Sequence, residues 1–101
     1  MRVVEENDFE SETKDQNVIV QVSAEWCGPC KVLSPVLEAV ANERNINTFK
    51  VNIDDCPNIV KKYSVRSVPR ILFFKGGLLI EEAIGNQPKN KLETICDKIY
   101  K

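Results

Sequence analysis

Ala24-Glu25-Trp26-Cys27-Gly28-Pro29-Cys30-Lys31 lies between an apolar, strand-like run and a helix-like one. Two cysteines separated by two residues at such a junction read as a redox pair. If a helix begins at or just after Cys27, Cys30 falls about one turn further on. Both sulfurs then lie on one side and can close a small disulfide ring. Pro29 suits a first helical turn, where its missing N–H is no loss. The unpaired N–H groups and partial positive charge of a helix N-terminus favour a thiolate on Cys27 over the neutral thiol, which makes Cys27 the better nucleophile. The same spacing also admits a structural disulfide or half of a zinc site. With no histidine in the chain, a zinc site would have to recruit Cys56 and Cys96.

Upstream, Val18-Ile19-Val20-Gln21-Val22 is a β-branched run that predicts a central strand buried on both faces. Gln21 interrupts it, and a polar amide there must find hydrogen-bond partners or lie beside a wet site. Earlier still, Met1 to Val4 predicts a short first strand. Asn7-Asp8-Phe9-Glu10 predicts a cap and a brief helix to about Thr13, and Asp15-Gln16-Asn17 a turn.

Downstream, Val32, Leu33, Val36, Leu37, Val40 and Ala41 form a broad apolar stripe on a helix that contains Pro35, whose missing N–H predicts a kink. Thr48 to Ile53 alternates as a second strand, and Asp54-Asp55-Cys56-Pro57 leads into a short helix from Asn58 to Tyr63. Val65 to Pro69 reads as a loop. Ile71-Leu72-Phe73-Phe74 and Leu78-Leu79-Ile80, joined across Gly76-Gly77, read as a hairpin, with Gly85 marking a break or bulge late in the last strand region. Leu92, Ile95, Cys96 and Ile99 define an amphipathic closing helix on which Cys96 is a small buried hydrophobe.

Alternating elements in a chain of 101 residues predict one α/β domain, residues 1–101, with a mixed sheet and helices on its faces. A net charge of −1 argues against a nucleic acid or an anionic membrane as partner, since either would favour a basic patch. No signal-peptide pattern and no span of membrane-crossing length is evident, so the expected setting is reducing and intracellular. Cys56, in a loop, reads either as an exposed regulatory thiol or as an inert one.

Trp26-Cys27-Gly28-Pro29-Cys30-Lys31 resembles the active-site motif of the thioredoxin family, and the likeness extends along essentially the whole chain. Pro35 stands where the family has a kinking proline, and Val68-Pro69 resembles the segment whose cis-proline faces the dithiol. Lys50, Asn52-Ile53-Asp54, Gly77 and Gly85 also fall at family positions. The resemblance implies the thioredoxin fold and a cytoplasmic, monomeric protein-disulfide reductase with no bound cofactor. Cys27 would attack a substrate disulfide, Cys30 would resolve the mixed disulfide, and NADPH would supply electrons through a thioredoxin reductase.

Gly28-Pro29 follows the family's reductant pattern rather than its oxidase or isomerase pattern. Trp26 and Lys31 would border the pair, while Trp26, Val68, Pro69, Arg70 and Gly85 would face disulfide-containing protein substrates. A binding module that uses the fold without redox turnover is the alternative reading. Two positions depart from the family. Gln21 replaces a buried aspartate that moves the proton of the resolving thiol, and glutamine cannot act as a base. Arg70 replaces a small polar residue after the proline and reads either as a cation favouring the Cys27 thiolate or as a solvent-facing side chain. Lys50 would either pair near the active-site base or extend to solvent.

Overall fold

The computed structural model describes residues 1–101. Its centre is β1 (Val18–Ser23), which is buried along its whole length. β1 pairs in parallel with β2 (Asn47–Asn52) on one side and antiparallel with β3 (Arg70–Lys75) on the other. β4 (Leu78–Ile84) extends the sheet beyond β3, giving the order β2-β1-β3-β4. Because successive strand residues point to opposite faces, the sheet feeds two cores.

On one face Val18, Val20, Val22, Phe49, Val51, Leu72 and Phe74 pack with Phe9 of α1 (Glu6–Thr13) and Ile59 of α3 (Pro57–Lys62). On the other, Ile19, Ile71 and Phe73 pack with Leu33, Leu37 and Val40 of α2 (Gly28–Glu43) and Leu92 of α4 (Lys89–Ile99). Helices therefore cover both faces of the mixed sheet. No helix is long and apolar enough to cross a membrane.

Four local expectations need correction. Met1 to Val4 forms only one parallel bridge, Val3 to Lys50, because α1 already starts at Glu6 and leaves too little chain for a strand. Asn7 is inside α1 rather than capping it; Glu5 holds the cap position without a side-chain hydrogen bond. Val32 is exposed, so the apolar stripe of α2 is one column narrower than its sequence. The strand irregularity lies at Ile80, where pairing slips from Phe73–Glu81 to Phe74–Leu79. Gly85, at φ +78°, instead follows the end of β4.

The cap that α1 lacks is matched by one that it gives. Glu6 Oε1 accepts the N–H groups of Asn58 (2.6 Å) and Ile59 (3.1 Å), and its Oε2 accepts from Asn58 Nδ2 (3.2 Å). These two N–H groups belong to the first turn of α3, whose own cap residue, Cys56, makes no side-chain capping bond. Glu6 thus caps another helix across the fold. Glu6→Ala is expected to cost about 1–2 kcal/mol of stability, read from the urea midpoint. Glu5→Ala should stay within about 0.5 kcal/mol, and equal costs for the two would remove the capping role.

Burial also predicts an alkaline limit to stability. Cys96 is buried among apolar residues on α4, and desolvation pushes its thiol up to about 11 from an ordinary 9.0. The unfolded chain therefore releases this proton first as pH rises. Stability from this group is complete below pH 9 and is lost progressively towards pH 11, by about 2–3 kcal/mol. Burial raises the Tyr100 phenol too, while its hydroxyl donates to the Phe74 carbonyl at 2.8 Å. Denaturant midpoints at pH 8.5 and 10.5 should differ less in Cys96→Ala than in wild type.

Candidate active site

The register of β1 against β3 explains why distant residues meet. Val22 lies opposite Arg70, so the chain leaving the end of β1 runs beside the chain entering β3 at Val68-Pro69. The β1 exit carries Ala24 to Cys27 and then turns into α2. Ala24, Cys27 and Cys30 form a small apolar cluster, against which Ile53 and Val68 pack. This is the end of an α/β sheet where connections from the central strand diverge, a usual place for a functional site.

Cys27 is the cap residue of α2, with extended backbone, and Gly28-Pro29 begin the first turn. Cys30, three residues on, is joined to Cys27 by a disulfide with a Cα–Cα separation of 5.3 Å. The Cys30 N–H donates to Cys27 Sγ at 3.2 Å. A helix N-terminal donor aimed at this sulfur favours negative charge there once the bond is reduced. Cys27 is 4% exposed and Cys30 1%. In the closed ring only an edge of the expected nucleophile is open, and Ile53 and Val68 pack against the cluster that holds it.

Trp26 is 69% exposed, and its indole N–H points to Asp54 Oδ2 at 3.3 Å. Val68-Pro69 has a cis peptide bond. The Pro69 carbonyl accepts the Gly85 N–H at 2.8 Å, which brings Gly85 to the same rim. Lys31, Ser34, Lys50 and Cys30 line a cleft of about 290 Å³. Lys50 borders the site from β2, directly opposite Gln21 in the sheet.

Gln21 finds its partners. It is fully buried; its Nε2 donates to the Cys30 carbonyl at 2.9 Å, and its Oε1 accepts from Ser34 Oγ at 3.0 Å. Arg70 matches neither alternative posed by the sequence. Its guanidinium forms an ion pair with Glu82 and donates to the Ser64 carbonyl at 3.0 Å, so its charge is engaged by a neighbouring strand and by the turn after α3.

Cys56 is buried in the core on the α1 and α3 face, not in an exposed loop. Burial, with Glu6 and Asp55 nearby, raises its thiol above the ordinary range, opposite to what a reactive cysteine needs. Cys96 belongs to the other core. The four sulfurs therefore do not converge, and the zinc arrangement loses its ligands. Ser34 and Ile53 are site residues that the sequence reading assigned no role. Ser34 lies one helical turn beyond Cys30, on the side turned to β1, a signal that only a known strand-to-helix packing makes visible.

The fold and the paired cysteines at the head of α2 define a dithiol–disulfide protein of the α/β class. The thioredoxin family model matches residues 1–98. The chain belongs to the thioredoxin family. It is 38% identical over 99 residues to a thioredoxin of Chlamydia trachomatis serovar D, covering 97% of each chain. It is 47% identical over 83 residues to a chloroplastic M-type thioredoxin of Triticum aestivum, covering 80% of this chain and 47% of the wheat protein. The chain thus spans about half the length of the plant relatives it matches. A solved mutant thioredoxin from Halobacterium salinarum NRC-1 superposes with a TM-score of 0.90 at 28% identity, covering 99% of this chain and 90% of that one. The structure has the thioredoxin fold.

Proposed function

We propose that this chain is a protein-disulfide reductase working by dithiol–disulfide exchange. The observation that carries the reading is the Cys27–Cys30 disulfide at the start of α2, with the Cys30 N–H directed at Cys27 Sγ. In the reduced protein, the Cys27 thiolate attacks one sulfur of a substrate disulfide. A bond forms between Cys27 and that sulfur, the substrate S–S bond breaks, and the departing sulfur leaves with the electron pair and takes a proton from solvent. Cys30 then gives up its proton to water and attacks Cys27 Sγ. The second substrate sulfur departs, two electrons have passed to the substrate, and the ring is closed again.

The exposed Trp26, the Val68-Pro69 segment and Gly85 form the rim against which an extended substrate would lie. Arg70, tied to Glu82, shapes this edge more than it charges it. Lys31 and Lys50 line the cleft beside Cys30, where they would act on its proton transfer. We assign the return of electrons to a thioredoxin reductase drawing on NADPH, and the setting to a reducing cytoplasm. Membership of the thioredoxin family supports a thioredoxin reductase as donor, and the cycle's need for a reducing supply supports a reducing setting.

Reduction of insulin disulfides tests the reading, once with a chemical dithiol and once with NADPH and a thioredoxin reductase. Turnover is expected in both. Failure with the chemical dithiol would overturn the function; failure with the enzyme alone would overturn the assigned electron donor.

A further inference from the structure

The group that holds the resolving cysteine is neutral and has two parts. The Cys30 carbonyl lies 2.9 Å from Gln21 Nε2 and 3.0 Å from Ser34 Oγ, while Ser34 Oγ is also 3.0 Å from Gln21 Oε1. The single hydroxyl proton of Ser34 is therefore placed between two acceptors. Gln21 is buried with no other side-chain partner, so without Ser34 its carbonyl oxygen would lose its only hydrogen bond. Such a loss inside a core is more costly than the bond itself. The triangle connects β1, the strand before the site, to the peptide unit of Cys30 on α2. It does so one residue before Pro35, whose missing N–H already withdraws a ladder bond from this turn.

We propose that Ser34 is a positioning residue for the resolving half of the exchange: through Gln21 it fixes the Cys30 peptide unit where its sulfur meets Cys27. The proposal rests on the dithiol reading above. It gives Ser34 no part in bond making. Gln21 cannot accept the Cys30 proton, which goes to water, and Ser34 Oγ acts only by holding the backbone. Loss of the hydroxyl leaves the initial attack by Cys27 untouched, since the donor on its sulfur is the Cys30 N–H at the helix terminus. Ring closure is then less favoured.

The test compares wild type, Ser34→Ala and Ser34→Thr in three measurements: the equilibrium constant of the pair with glutathione, the rate of Cys27 alkylation by iodoacetamide in the reduced protein, and insulin reduction. Ser34→Ala is expected to lower the constant for disulfide formation by about three- to tenfold and to leave alkylation unchanged. Ser34→Thr, which keeps the hydroxyl, should restore the constant to within about twofold. A constant in Ser34→Ala equal to wild type, or alkylation changed by the same factor, would overturn the positioning role. The glutathione constant needs no protein substrate. A wild type that equilibrates normally yet leaves insulin intact would remove the reductase reading, while Ser34 would still be judged on the constant.

Discussion

Cys30→Ser stops the exchange after its first bond-forming step and leaves substrate attached to Cys27. The expectation follows from placement: the only other cysteines, Cys56 and Cys96, are buried in opposite cores and cannot reach the mixed disulfide. With a disulfide peptide as substrate, mass spectrometry should find a single adduct on Cys27. Release of the second peptide thiol should fall to background when no external thiol is present. Cys27→Ser should form no adduct at all, because the remaining sulfur at position 30 is 1% exposed and lacks the helix-terminal donor. Steady release from Cys30→Ser would mean that another group closes the cycle. An adduct on Cys30 in Cys27→Ser would reverse the two roles.

The largest expected stability effect is far from the sulfurs. Gly77 turns the β3–β4 hairpin at φ +87°, and a Cβ there would lie 2.7 Å from the Asp15 backbone nitrogen. Its own N–H donates to the Gln16 carbonyl at 3.0 Å, so the hairpin tip is tied to the turn after α1. Gly77→Ala combines an unfavourable backbone region with a clash against main chain that cannot swing aside, for a cost of about 2–4 kcal/mol. Gly76, at φ +59°, has open space where its Cβ would be. Gly76→Ala should therefore cost only about 1 kcal/mol. Chemical denaturation of both variants decides, and equal losses would show that the contact with Asp15 contributes nothing.

Much of the site could be read from sequence because its chemistry is local. The spacing of Cys27 and Cys30, Pro29 in a first turn and the β-branched run before them each carry their own structural signal. Gln21 was recognisable as anomalous for the same reason, a lone amide in an apolar strand. What could not be read is what depends on register. Ser34 is an ordinary helical serine until β1 is laid against α2. Arg70 has an evident charge, but its partner Glu82 follows from the slip at Ile80, which nothing local announces. Glu6 carries no local signal of its role; only packing of α1 beside α3 reveals whose N–H groups it satisfies. The brief N-terminal strand failed because propensity at Met1 to Val4 competes with a helix beginning at Glu6.

The division of the cysteines has a consequence for damage. Burial on opposite sides of the sheet, with raised thiols, withholds Cys56 and Cys96 from peroxides and alkylating agents alike. Oxidant stress on the folded molecule is thus channelled to one reversible pair. No internal rival sulfur is available for scrambling, and oxidation that stops at the Cys27–Cys30 disulfide is undone by the next reduction.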